Sequence, residues 1–357
     1  LFAVERCGLL ASTVNWTHPT DASVDVESSD PESRAELSGS SASTRRLRII
    51  FFGTPDFAVP SLERLTAELD FRVAAVVSQP DRAVGRHAAV EAPPVARLAR
   101  VLGIPLLQPA GIRGAEFAAA IRERSPDVLV VVAYGKILPP ELLELPRLGA
   151  VNVHGSLLPR HRGASPVQAA ILAGDPVTGV ATMQMTEGLD EGPVFAERQT
   201  PIENGDTAQT LSARLAGMGS DLLVETLRGI AGGTFTAKPQ RGEPSYCRPI
   251  RREDGRIDWN QPGDEILRMR RAFTPWPGIF TSLEGETVKI LEARPGPPDL
   301  AGVPGAIVAA GEGFAVVCGE GSSIEPLRLQ RAGRKAAGAG DFRRGLRAGE
   351  RELRFGP

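Results

Sequence analysis

The sequence predicts an α/β fold: a doubly wound, Rossmann-like sheet of parallel type, followed by a small OB-like β-barrel. Three observations predict it. From Arg46 onward, short unbroken apolar runs alternate with amphipathic stretches, the pattern of buried strands joined by crossover helices. After Gly233 the texture changes to brief β-type runs separated by Gly and Pro, as in small barrels. The length of 357 residues also favours two domains over one.

The elements follow in order. "RLRIIFFGT" (46–54) opens the ordered chain, with the apolar run Ile49 to Phe52 as its strand, and "DFAVPSLERLTA" reads as a helix. "RVAAVVSQ" (72–79) is a second strand, and "PPVARLARVLG" (93–103) a helix with Pro at its start and Gly at its end. "PDVLVVVAYG" (126–135) is the strongest strand, and "GAVNVHG" (149–155) another. A helix is predicted over 212–233. The expected domains are therefore 46–233, a linker 234–252, and a barrel domain 253–357 containing "ETVKILEA", "GAIVAA" and "GFAVVCGE". Residues 1–45 read as a disordered extension or a mis-assigned start. They are rich in Ser, Asp and Glu, and the first methionine is Met183.

Composition narrows the function classes. Net charge is −2, so the chain as a whole is no obvious polyanion binder. The stretch 328–354 is nonetheless basic, with about nine cationic and three acidic residues. Cys7, Cys247 and Cys318 are far apart and odd in number. They suit a reducing, cytoplasmic setting and make neither a disulfide framework nor a metal motif. No apolar run approaches the ~18–20 residues of a membrane helix. "FGTPDFA" follows the first strand but lacks the three-glycine dinucleotide fingerprint.

The chemistry concentrates in "NVHGS" (152–156). Asn152 and His154 stand two apart on a strand, so both side chains leave the same face. In a doubly wound sheet, ligands bind beyond the carboxyl ends of the strands, where His154 stands. An amide and an imidazole there can hold a carbonyl oxygen that gains charge, and the imidazole can carry a proton near neutral pH. "SLLPRHRGASP" (156–166) follows as an irregular loop. "TGVATMQMTEGLDEGPVF" (178–195) places Asp190 just before a Gly-Pro turn. That carboxylate either starts the turn or orients His154 or a water. Trp259 and Trp276 read as core or barrel anchors, and His18 and His87 as exposed bystanders.

Several segments carry a resemblance: "RIIFFGTPDFAVPSL", "QPDRAVGR", "VVAYGKILP", "NVHGSLLPRHRGASPVQ", "TGVATMQMTEGLDEGPV" and "RIDW…RAFTPWPG". From Leu47 to Phe355 the chain resembles the methionyl-tRNA formyltransferases, within the wider family of 10-formyltetrahydrofolate-dependent formyltransferases. The resemblance implies the formyltransferase version of the Rossmann-like fold. It implies formyl transfer from 10-formyltetrahydrofolate to methionyl-initiator tRNA without a metal; a monomer is expected because no large exposed apolar segment demands a dimer. It makes Asn152, His154 and Asp190 the catalytic trio. It assigns Ser156, Leu157, Leu158 and Pro159, with Tyr134, Gly135, Ile137 and Leu138, to the folate site. It casts the 79–94 loop and the barrel domain as tRNA contacts, with Arg82, Arg86, Arg334 and Lys335 as candidate cations. Here the sequence departs from the family, which usually has consecutive lysines where this loop has His87, Ala88 and Ala89. Fewer cations imply fewer phosphate contacts and a flatter salt dependence. His161, often an aromatic in the family, is read as a wall residue. Two other readings stay open: a formyltransferase for a sugar nucleotide or other small amine, and a non-catalytic tRNA-binding module.

Overall fold

The computed structural model describes residues 46–84, 89–346 and 353–356. The expectations for residues 1–45, for Arg86 and His87, and for part of the basic stretch lie outside the described residues.

The first sheet domain runs β1 (Leu47–Gly53), α1 (Val59–Ala67), β2 (Phe71–Val77), a hairpin of β3 (Arg82–Val84) and β4 (Ala89–Glu91), α2 (Pro94–Val101), β5 (Leu106–Leu107) and α3 (Ala115–Arg122). It continues with β6 (Val128–Val132), α4 (Pro140–Leu143), β7 (Ala150–His154), β8 (Arg162–Gly163), α5 (Pro166–Ala173), β9 (Val177–Gln184), β10 (Val194–Pro201) and α6 (Ala208–Ala231). The main sheet has the order β10-β9-β7-β6-β1-β2-β5. Strands β5, β2, β1, β6 and β7 are parallel, as expected. The sheet departs from parallel at β9, which runs antiparallel to β7, and at β10, antiparallel to β9. The connection gives the reason. The segment after His154 contains only the two-residue β8 and the eight-residue α5, and β9 begins beyond the carboxyl end of β7, passing His154 at Ala181. Running straight back needs no crossover helix, whereas a parallel return would.

Alternation along the strands sorts the core into two layers. Ile49, Phe51, Val130, Val151, Val153 and Val180 face α1 and α6. Ile50, Phe52, Leu129, Val131 and Ala150 face α3 and α4. Asn152 and His154 continue the Ala150 face, so they emerge where that apolar layer ends. Helix α6 starts four residues earlier than predicted. Thr207 caps it by accepting from Thr210 N–H at 3.2 Å while Thr210 Oγ1 accepts from Thr207 N–H at 3.0 Å.

The connecting segment carries β11 (Tyr246–Cys247), which pairs in parallel with β8. Beyond it lie α7 (Gly263–Ala272), β12 (Ile279–Leu283), β13 (Glu286–Pro295), β14 (Ile307–Ala310), β15 (Gly313–Val317), β16 (Ser323–Arg331), β17 (Ala337–Gly338) and α8 (Ala339–Arg344). The second sheet is antiparallel, ordered β12-β13-β16-β15-β14, with β17 on β16. Residues 353–356 close it into a barrel. Gly356 N donates to Ser282 O on β12 at 2.8 Å, and Ile307 N on β14 donates to Leu353 O at 3.0 Å.

Trp259, Phe314, Phe342 and Phe355 fill the barrel, and Trp259 stacks on Phe355 with centroids 5.7 Å apart. The same core takes in Val167 and Ile171 of α5 and Leu211 and Leu215 of α6, so the two sheets share continuous packing. Trp259 is thus the anchor expected of it. Trp276 is not: it is 58% exposed. It sits between Pro275 and Pro277 in the turn from α7 to β12, and Phe273 takes the core position instead. No helix among the described residues is long and apolar enough to cross a membrane.

Candidate active site

The three residues expected to act together do meet. Asn152 and His154 stand on the same face of β7 and are both buried. The β9–β10 hairpin leaves the sheet beside the start of β7 but folds back over this face. It brings Asp190 Oδ2 to 3.7 Å from His154 Nδ1. The Asn152 amide makes no hydrogen bond with another described residue.

The imidazole's other nitrogen has a fixed partner. His154 Nε2 lies 3.0 Å from the backbone oxygen of His161. A carbonyl can only accept, so Nε2 carries the hydrogen and the neutral ring keeps its lone pair on Nδ1. Burial holds the His154 pKa below its ordinary value, against the opposing pull of the Asp190 charge and the His161 carbonyl. A neutral ring therefore presents an unprotonated nitrogen toward a carboxylate, an arrangement suited to receiving a proton.

The loop that supplies the His161 carbonyl is tied at several points. Ser156 Oγ donates to Arg160 O at 2.6 Å. His161 has φ 56°, a left-handed conformation that non-glycine residues seldom adopt. Its backbone N–H donates to Ser245 Oγ at 2.8 Å, and its ring Nε2 lies 2.7 Å from Asp175 Oδ2. Arg160 pairs with the same carboxylate. Burial pushes the Asp175 carboxyl up, but its hydrogen bonds to Arg160 and His161 prevail and hold it below the usual range.

The expected folate residues divide by exposure. Gly135 and Ile137 are open to solvent, with Ile137 62% exposed, and Leu157 is half-buried. Tyr134, Leu138, Ser156, Leu158 and Pro159 are buried. The Tyr134 ring meets Phe52 edge-on at 5.3 Å, and burial pushes its hydroxyl pKa up to about 12. Its carbonyl accepts from Thr54 Oγ1 and Gln79 Nε2. Leu158 packs with Ala181 and Met183 beside the trio. Ile137 and Leu138 line a cavity of about 360 Å³ with Arg113 and Glu187. The cavity lies between the α4 loop and the hairpin carrying Asp190.

The candidate tRNA cations are dispersed. Arg82 is exposed on the β3–β4 hairpin and reaches Gln79 Oε1 at 3.4 Å. Arg334 and Lys335 are exposed in the turn after β16. Sequence reasoning missed the residues that hold the trio: the His161 carbonyl, Gly163 N–H, Ser245 and Gln240. None belongs to a periodic pattern, and the last two come from the connecting segment.

The fold and this site define a class. Residues 46–227 match the sequence profile of the formyl transferase family, and residues 249–347 match that of the formyl transferase C-terminal domain. The chain belongs to the formyl transferase family. The methionyl-tRNA formyltransferase of Anaeromyxobacter dehalogenans (strain 2CP-1 / ATCC BAA-258) is 48% identical over 306 residues, covering 84% of this chain and 97% of that protein. That of Myxococcus xanthus (strain DK1622) is 48% identical over 304 residues, covering 84% and 95%. The crystal structure of an N-formyltransferase from Helicobacter canadensis, in complex with folinic acid and dTDP-3-aminofucose, superposes with a TM-score of 0.59. It is 19% identical and covers 80% of this chain and 99% of that one, a likeness of fold.

Proposed function

We propose that this protein transfers the formyl group of 10-formyltetrahydrofolate to the α-amino group of methionine on initiator tRNA. The observation that carries this reading is the Asn152–His154–Asp190 constellation, in a chain matching methionyl-tRNA formyltransferases over nearly their whole length, barrel included.

The chemistry follows from the geometry. The neutral amine attacks the formyl carbon, forming a C–N bond and leaving negative charge on the formyl oxygen. The uncommitted Asn152 amide donates to that oxygen. His154, with Nε2–H engaged by His161, receives the amine's proton on Nδ1. The resulting imidazolium faces Asp190, whose charge stabilises it, and its new Nδ1–H can join Asn152 at the oxygen. The oxygen's electron pair then expels N10 of the folate, which takes the proton from His154. The products are formyl-methionyl-tRNA and tetrahydrofolate. Asp190 thus serves as the carboxylate partner of His154. Gly135, Ile137 and Leu157, with the adjoining cavity, supply open surface suited to the folate. Arg82 and Arg86, with Arg334 and Lys335, are the cations offered to the tRNA backbone.

A competition between acceptors tests the substrate. With 10-formyltetrahydrofolate as donor, methionyl-initiator tRNA should be formylated in preference to an amino-sugar nucleotide at equal concentration. The transfer should weaken with added salt, as phosphate contacts do. Preference for the sugar nucleotide would overturn the assignment.

A further inference from the structure

The segment joining the two sheets reaches into the catalytic loops through Gln240. Its Nε2 donates to the backbone oxygens of Asp190 and Gly192, each at 2.8 Å. Its Oε1 accepts from Arg162 Nε at 3.1 Å and from Arg162 Nη2 at 2.8 Å. Both N–H groups and both lone pairs of the amide are therefore used. Two of these bonds end on the hairpin that carries Asp190, and two on β8. Gly163, beside Arg162, donates its backbone N–H to Asp190 Oδ2 at 2.8 Å. The carboxylate of Asp190 is thus held by β8 directly, and its backbone is held to β8 through Gln240.

The surroundings show why a fastening is needed and why it comes from this segment. Asp190 has φ 52°, a conformation that costs a non-glycine residue free energy unless its surroundings impose it. The connecting segment lies close against both loops. Val194 and Lys238 exchange backbone hydrogen bonds, each at 2.8 Å, and Arg162 N donates to Ser245 O at 2.8 Å. A side-chain carbon at Gly163 would overlap the Cys247 carbonyl, and one at Gly192 would overlap that of Gln184. Gln240 stands in this seam, half-buried.

We infer that Gln240 is a positioning residue, which sets the Asp190 carboxylate against His154 from the segment that connects the two sheets. The inference rests on the reading of Asp190 as the carboxylate partner of His154. It adds that the catalytic geometry is completed by a residue outside the first sheet domain.

The test uses the full-length protein and three variants, Gln240→Ala, Gln240→Glu and Asp190→Asn. Gln240→Glu keeps the shape and the bonds to Arg162 but sets a carboxylate oxygen against two carbonyls, so it separates the fastening from simple filling of space. For both Gln240 variants, kcat for formyl transfer should fall by about tenfold to a hundredfold, the cost of a small misplacement. KM for the folate should hold within about twofold. The acid limb of the kcat/KM profile should move to lower pH in Gln240→Ala, as in Asp190→Asn, because the charge facing His154 is displaced; Gln240→Glu adds a charge of its own and is read by kcat alone. An unchanged kcat would overturn the inference. So would a loss of kcat that follows thermal stability while the acid limb stays in place, since that marks a structural role alone. If the limb moves in Asp190→Asn but not in Gln240→Ala, Gln240 does not position Asp190. If it fails to move in Asp190→Asn, the reading of Asp190 falls and this inference with it.

Discussion

His154 has a defined hydrogen at one nitrogen and a defined charge facing the other. That follows from the His161 carbonyl at 3.0 Å and the Asp190 carboxylate at 3.7 Å, and it makes the pH behaviour predictable. The ring must be neutral to receive the amine's proton, so transfer declines as pH falls through its pKa. Burial places that pKa below the ordinary value of 6.5, and the acid limb of kcat/KM, divided by the fraction of neutral acceptor amine at each pH, should lie below that pH as well. Burial lowers the His154 pKa, whereas the Asp190 charge and the hydrogen bond to the His161 carbonyl raise it. Removing the Asp190 charge therefore lowers the pKa further, and Asp190→Asn should shift the limb toward acid while slowing the reaction. A limb that moves toward neutral pH would contradict this ordering. The residue scale was also where the sequence was most informative. Two polar side chains at the end of an apolar strand, with an aspartate in a later turn, were visible there, and the family resemblance joined them into a trio. Their common face is a consequence of strand geometry alone.

At the scale of elements, the strands buried on both faces were legible because unbroken apolar runs such as "VLVVV" have few other uses. Strands β9 and β10 were less so. The exposed residues of β10 give a mixed pattern, and their direction depends on how α5 lies, which no local pattern encodes. The exposure of the expected site residues varies for a similar reason. "SLLP" and "AYG-ILP" are loops that follow the carboxyl ends of β7 and β6, but which side chains turn inward depends on left-handed residues such as Ala133 and His161. Tyr134 and Leu158 consequently belong to the core, while Ile137 stands open. The segment 234–252 resembles a linker by composition, yet it pairs with β8 and fastens the Asp190 hairpin.

The whole molecule depends on its last described residues more than the basic composition of that region suggests. Phe355 is 1% exposed, stacks on Trp259 and belongs to the segment that closes the barrel between β12 and β14. Phe355→Ala should lower stability by about 3–5 kcal/mol in chemical denaturation, the usual cost of deleting a buried aromatic ring. A loss under ~1 kcal/mol would mean that the ring is not closed as described. Removing residues 328–357 altogether would take Leu329 and Phe342 as well. That deletion would unfold the barrel rather than report on tRNA contacts, so single substitutions at Arg334 or Lys335 are the informative changes. The central claim is that a chain of this fold moves a formyl group at Asn152 and His154, and single-turnover transfer to methionyl-initiator tRNA tests it most directly. Measured beside folate affinity, Asn152→Ala and His154→Ala should each retain folate binding and lose about a hundredfold in rate, as expected when a transition-state hydrogen bond or proton acceptor is removed. Transfer within a few-fold of the unmodified protein in either variant would contradict the account.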